Sequence, residues 1–407
     1  MNPPARTPAQ RKRRRRLGWT IGLSLGLMLL LLLASYGPAA FAAGLALALL
    51  PLPIYVRLSL WIDRYEPEPR ALLVRAFLWG AGPAVLIALI VNSVGIEIVG
   101  AEFGSEVGEI YGGSISAPIV EESAKAAALY GVYRWRRSEL DGVLDGIVYA
   151  AMVGLGFAVV EDALYYGEEI VGGEVGVGAV FVMRGIASPF AHPVFTAMTG
   201  IGLAIAATSP RGPRRWLAPL AGFAAAILLH AAWNTSAIDD TAFVATFIGV
   251  MFPVFVALIV VSLVARRRDG RRVVAYLGPE VEHGLLSADE LQALATLGGR
   301  SRALKAARDA GGREAAKARA ELHRVATDLA FLRHRIALGR QDPDVPAPQK
   351  DEADLVGRIG QLTGRLPPAP PAPAPPPAGP PPDWYPDPSG RFRLRYWDGY
   401  SWTGHTA

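Results

Sequence analysis

The sequence predicts an all-α polytopic membrane protein with about eight transmembrane helices, followed by a polar tail holding a helical hairpin, a Pro-rich linker and a small β module. Three observations predict it. Apolar residues make up 51% of the 407 and charged residues only 19%, a balance that a single soluble core rarely shows. The apolar residues cluster before Arg266 in blocks of roughly 20, the length that crosses a bilayer. The charges between those blocks alternate in sign along the chain.

The blocks come in order. Residues 1–16 end in the run Arg11 to Arg16, a basic cytoplasmic N-terminus. Leu17 to Ser35 is the first apolar stretch, and a second from about Ala39 to Trp61 follows it directly. No polar mature region succeeds the first block, so it reads as a retained helix rather than a cleaved signal peptide. Further blocks at approximately 71–99, 113–133, 143–166, 176–207, 216–237 and 241–265 complete a transmembrane domain over residues 17–265.

The loops check this order. One set carries Arg64 and Arg70, then Arg134, Arg136 and Arg137, then Arg211, Arg214 and Arg215, then Arg266 to Arg268. The other carries Glu97, Glu102, Glu106 and Glu109, then Glu168, Glu169 and Glu174, then Asp239 and Asp240. Basic loops stay inside, so both termini are expected in the cytoplasm of a multi-pass plasma-membrane protein.

Residues 266–340 form a basic cytoplasmic helical region, with a hairpin from about Pro279 to Gly339 broken at Gly311 and Gly312. Residues 341–382 read as a linker, and Pro367 to Pro382 favours an extended polyproline spacer. Residues 383–407 hold three tryptophans and turn signals at Pro388 to Gly390 and at Asp398-Gly399, which suggests two or three aromatic-packed strands. This tail resembles, through WYPDPSG, RYWDG and WT, a short domain of unknown function often appended to membrane proteins of high-GC Gram-positive bacteria. A cytoplasmic partner for it is left open.

The chain has no cysteine, which removes thiol nucleophiles, thiolate zinc sites and disulfides. Its net charge of +5 suits anionic lipid headgroups at the basic loops better than nucleic acid, which is not expected as a partner.

Ionisable residues inside membrane helices are costly and are functional candidates by default. The segment APIVEESAKAAALY puts Glu121, Glu122 and Lys125 in the fourth helix, with Lys125 one turn from both carboxylates. Adjacent helix positions diverge by about 100°, so one carboxylate can pair with Lys125 while the other faces a neighbour. Glu121 is favoured as the site residue, and the choice stays open.

In GFAVVEDALYYGEE, Glu161 and Tyr165 share a face near the outer helix end, and a solvated role competes with a functional one. The segment FVMRGIASPFAHPVFTAMTG interrupts an apolar run with Arg184, Pro189, His192 and Pro193. A block of about 32 residues is too long for one straight crossing, so a break near Ser188-Pro189 is expected. His230 and Asn234 in HAAWN stand one turn apart on one face.

Counted from the outer helix ends, Glu121, Glu161, His192 and His230 lie about five to eight residues deep, roughly 7 to 12 Å from the outer surface. Such a set can activate water through a carboxylate with His and stabilise an oxyanion through a second His and Asn. Equally, Glu121, His192 and His230 could hold a zinc ion. No HExxH helix, GxGD motif or GxSG motif is present, which disfavours other intramembrane protease chemistries. A proton- or cation-coupled transporter using the same Glu and His residues is the alternative, although no internal repeat is apparent.

The ordered motifs APxxEExxK, FxxxEDxxY, RxxxxPxxH and HxxWN resemble those of the PrsW family of intramembrane proteases, related to the Abi and CAAX prenyl protease superfamily. The resemblance spans about residues 50–265. It implies a bacterial plasma-membrane endopeptidase, often labelled a metalloprotease, that cuts a single-span membrane protein such as an anti-sigma factor near its outer face. By it Glu121, Glu122, Glu161, His192, His230 and Asn234 are the catalytic set, with Lys125, Arg184 and Tyr165 in support.

Overall fold

The computed structural model describes residues 8–62, 64–65, 67–209, 212–337, 348–366, 383–397 and 402–407. Helix α1 (Pro8–Leu49) is 42 residues long, more than one crossing needs. Gly37 breaks it with φ of 74° just before Pro38, a left-handed conformation that costs glycine little. The leg before the break packs Met28 and Leu32 against Ala84 and Val85. The leg after it, continued by α2 (Leu52–Ile62), runs back so that Ala48 meets Val159 and Val56 reaches the cluster around Val153.

Helix α3 (Arg70–Trp79) passes through a wide π turn at Gly80–Ala84 into α4 (Val85–Phe103). After Gly104, α5 (Ser105–Tyr111) and a second π turn at Gly112–Ser116 lead into α6 (Ala117–Trp135). Helix α7 (Val143–Val171) is buried almost continuously from Leu144 to Val159, as a helix apolar on all sides must be. Helix α8 (Val177–Phe181), a π turn at Val182–Ala187 and a bend at 188–190 precede α9 (Ala191–Thr208). The expected break near Ser188-Pro189 is therefore present. Helices α10 (Arg214–Ser236) and α11 (Asp240–Thr246) and a π turn at Phe247–Met251 lead into α12 (Phe252–Glu282).

Among the described residues, six helical stretches are long and apolar enough to cross a membrane. The first, Gln10–Ile62, supplies the two legs around Gly37, and the more charged α6 makes an eighth. The arginine-bearing ends gather on one side of the bundle. Arg13 lies 5.0 Å from the Trp135 ring and Arg266 lies 4.6 Å from that of Trp61, while Arg137 donates to the carbonyls of Ala206 and Ala207 at 3.0 and 3.1 Å.

Helix α9 is pressed onto α7. A Cβ on Gly146 would sit 2.3 Å from the Gly200 carbonyl oxygen, and one on Gly154 would sit 2.7 Å from the Pro193 nitrogen. Small residues let membrane helices approach this closely.

Beyond the membrane the structure enlarges the expected hairpin. Helix α12 continues to Glu282 and is joined by α13 (Ala288–Leu294), by α14 (Leu297–Ala337, broken at Gly311 and Gly312) and by α15 (Pro348–Thr363). Val273, Leu277, Leu294, Leu322, Leu329 and Ile359 share one core. Helix α15 lies within residues 341–382, read above as linker, and corrects that reading. Leu355, Val356, Ile359 and Leu362 form an apolar stripe at helical spacing that packs into this core, and the prolines around it outweighed the stripe in the sequence. The proline run 367–382 and the Asp398-Gly399 turn lie outside the described residues.

The helical region docks on the basic end of the bundle. Tyr65 donates from its hydroxyl to the Ala295 carbonyl at 2.7 Å, and Arg335 pairs with Asp141 at 2.9 Å. The C-terminal module is an antiparallel sheet of β1 (Asp383–Pro386), β2 (Leu394–Trp397) and β3 (Trp402–Thr406). Trp384 packs on Tyr396 and Tyr385 on Trp402, with ring centroids 5.5 and 6.3 Å apart.

Candidate active site

Helices α6, α7, α9 and α10 each carry one element of the site to the same level, and the π turns at Gly112–Ser116 and Val182–Ala187 flank it. At its centre is Lys125, fully buried. A buried ammonium needs all its protons used, and these are: Nζ lies 3.2 Å from Glu121 Oε2, 3.0 Å from Glu122 Oε1 and 3.0 Å from His192 Nδ1. The ring of Phe157, 3.7 Å away, covers the remaining side of the cation, a favourable placement for a desolvated ammonium.

The two carboxylates of α6 then separate. Glu122 is buried beneath the site, where Oε1 also faces His230 Nδ1 at 3.2 Å and Oε2 accepts from the Thr196 hydroxyl at 3.1 Å. Glu121 lines an open cavity of about 420 Å³, together with Glu161, Arg184, His192, Trp233 and Asn234. Its contacts run through Oε2, which lies 3.9 Å from His230 Nε2. Glu121 is thus the member of the pair that a cavity water can reach.

The third carboxylate, Glu161, is not simply a solvated helix end. Its Oε2 accepts from Arg184 Nη2 at 2.5 Å and lies 2.6 Å from His192 Nε2. Asp162 takes the other side of the same guanidinium, at 2.7 Å from Nε, and the Tyr165 ring lies 4.0 Å beneath it. His230 is stacked on Phe195, with centroids 4.8 Å apart and planes 18° apart, and meets His192 edge-on at 5.2 Å. Asn234 stands at the cavity mouth and donates from Nδ2 to the Gly113 carbonyl at 2.9 Å.

All nine residues singled out in the sequence are therefore in or against this one cluster. Among the partners not singled out are Phe157, Thr196 and Phe195. Phe157 and Thr196 stand four positions from Glu161 and His192, a spacing that puts them on the same helix faces, but an apolar or hydroxyl residue there carries no signal of its own.

One carboxylate and two imidazoles, from Glu121, His192 and His230, offer ligand atoms that all lie within 4.8 Å of one another. In type and separation these donors fit a divalent ion such as zinc. His192 would present to the ion a nitrogen that now faces either the Lys125 ammonium or Glu161.

Residues 68–264 match the family model described as PrsW family intramembrane metalloprotease, and residues 382–407 match that of a protein of unknown function, DUF2510. Proteins named Protease PrsW are similar to parts of the chain. That of Clostridioides difficile is 33% identical over 157 residues, covering 38% of this chain and 62% of its own length. That of Geobacillus kaustophilus is 35% identical over 103 residues, 25% of this chain and 43% of its own. That of Bacillus subtilis is 33% identical over 103 residues, 25% and 44%. The chain thus spans less than two thirds of the length of these curated relatives. No solved structure matches. With APxxEExxK, FxxxEDxxY, RxxxxPxxH and HxxWN all inside the matched span and converging on one cavity, residues 68–264 are a PrsW family domain.

Proposed function

We propose that the chain is an intramembrane endopeptidase that hydrolyses a peptide bond in a single-span membrane protein, at the level of the Glu121 cavity. One observation carries the reading: Glu121, Glu161, His192 and His230, from four helices, meet at an open polar cavity inside an otherwise apolar bundle. With the arginine-rich end in the cytoplasm, the cavity lies in the outer half of a bacterial plasma membrane, and a substrate of the anti-sigma-factor kind would be cut near its outer face.

The chemistry follows from the partners. Glu121 takes a proton from a cavity water as its oxygen attacks the scissile carbonyl, and returns that proton to the leaving amine. Lys125 holds the Glu121 carboxylate in place through Oε2. His230, donating from Nδ1 to Glu122, keeps Nε2 toward Glu121 as a second proton acceptor. Asn234 has one amide N–H on Gly113 and a second to give to the developing oxyanion. Arg184 neutralises Glu161, which fixes the His192 ring. An ion held by Glu121, His192 and His230 would supply Lewis-acid polarisation of the water or of the carbonyl.

Purified protein in liposomes with tagged single-span substrates tests this. The wild type should yield product, and Glu121→Ala should not, at equal abundance. Loss on chelation with recovery on added zinc assigns an ion to the three donors, and full activity in chelator assigns water activation to Glu121 without one. Dissipation of a proton gradient by the wild type without any cleavage of the library would replace the reading with transport.

A further inference from the structure

A second cavity, about 670 Å³ in volume, opens at the opposite end of the bundle between α1, α3 and α6. Six cations line it: Lys12, Arg13, Arg14 and Arg16 from α1, Arg75 from α3 and Arg136 just past α6. No Asp or Glu lines it, and none of the six makes an ion pair with a carboxylate among the described residues. Several partly buried arginines elsewhere in the protein have acids: Arg184 pairs with Glu161 and Asp162, Arg335 with Asp141 and Arg333 with Glu280.

Basic loops at an inner membrane face are ordinary, and the Arg11–Arg16 run alone would signify no more than that. Arg75 differs. It lies more than one turn into α3, is only partly exposed and belongs to another element. Six like charges from three segments repel one another and cost stability unless an anion joins them.

The lining is also amphipathic. Below the cations the wall is apolar, formed by Leu72, Trp79, Leu129, Val132 and Val153. A free phosphate would use only the upper, charged half. A phosphate group joined to an acyl chain uses both, and basic pockets between spans at the inner face suit such headgroups.

We infer that the cavity formed by Arg13, Arg14, Arg75 and Arg136 over the Leu72–Val132 wall is a binding site for one anionic phospholipid of the inner leaflet. The occupant is a phosphatidylglycerol- or cardiolipin-type lipid, with its phosphate among the guanidiniums and an acyl chain along α3 and α6. The inference rests on the membrane-spanning reading and is independent of the proteolytic one.

Native mass spectrometry of the full-length protein from neutral detergent tests it, with dioleoyl phosphatidylglycerol as probe and the phosphatidylcholine of the same chains as control. The wild type should retain one phosphatidylglycerol at least tenfold better than phosphatidylcholine. Each cation near an anionic lipid strengthens binding roughly fivefold. Arg14→Gln with Arg75→Gln and Arg136→Gln should therefore weaken retention about a hundredfold, and Arg14→Gln alone, at an exposed position, about fivefold. Val132→Trp, which fills the apolar wall and keeps every charge, should also release the lipid.

Equal retention of both lipids, or undiminished retention by Arg14→Gln, overturns the site. Inorganic phosphate that displaces phosphatidylglycerol at equal concentration, with Val132→Trp unaffected, overturns the lipid in favour of a bare phosphate.

Discussion

Nζ of Lys125 lies 3.0 Å from Nδ1 of His192. An ammonium can only donate, so Nδ1 accepts, and the proton of the neutral ring sits on Nε2, where Glu161 receives it at 2.6 Å. One lysine thereby selects the tautomer of one histidine and orients two glutamates. The candidate site is one electrostatic unit built from α6, α7 and α9, and its members should respond differently to substitution.

Glu121 and Glu122, adjacent in sequence, should separate cleanly. Glu121→Gln should remove proteolysis while leaving thermal unfolding in detergent nearly unchanged, because its carboxylate faces the cavity. Glu122→Gln leaves a buried lysine and histidine without their shared acid and should lower stability by on the order of 3 kcal/mol. Unfolding midpoints and turnover measured on both proteins check this, and equal loss of stability in the two would contradict it.

Gly154 should act through distance alone. A side chain there meets the Pro193 nitrogen and the His192 carbonyl carbon at 2.7 and 2.9 Å, so Gly154→Val pushes the start of α9 off α7 and carries His192 with it. Displacement by about 1 Å is enough to lower kcat about a hundredfold. Turnover compared with Gly178→Val, a glycine in open space, makes the measurement.

Asn234 reads as a transition-state donor. Asn234→Ala should lower kcat by roughly a hundred- to a thousandfold with KM little changed, since its present partner is only the Gly113 carbonyl. A rise in KM at constant kcat would make it a substrate-binding residue instead.

The polar residues of the site were legible in the sequence because charge inside an apolar helix has few explanations. Glu121, Glu161, His192 and His230 stood out one by one, and their shared depth joined them. Which of Glu121 and Glu122 faces the cavity was not legible, because it depends on the rotation of α6 against α7 and α9. Phe157, Thr196 and Phe195 were invisible for another reason: each is an ordinary residue for a buried helix. Helix α15 was masked by flanking proline, and the docking of Tyr65 on Ala295 joins residues 230 positions apart, beyond any local pattern.

Outside the membrane, His323 should set an acid limit on the helical region. Burial and the neighbouring Arg300 and Arg319 cations push its pKa down to about 3, and the charge of Glu290 beside it is already shared with Arg319. The unfolded chain binds a proton near pH 6.5 and the folded one only near 3, so stability is full above the higher value and falls as pH drops between them. The loss is on the order of a few kcal/mol. Unfolding of the full chain followed at pH 7 and pH 4.5 checks this, with His323→Asn expected to flatten the difference.

The position at which a reconstituted single-span substrate is cut decides whether the Glu121 cavity is the site of hydrolysis. Cleavage products are sequenced by mass spectrometry for the wild type, Glu121→Gln and His192→Ala in liposomes. Product is expected from the wild type alone, with the scissile bond in the half of the substrate helix level with the Glu121 cavity. Equal product from all three proteins, or a cut level with the arginine-rich end of the bundle, would contradict it.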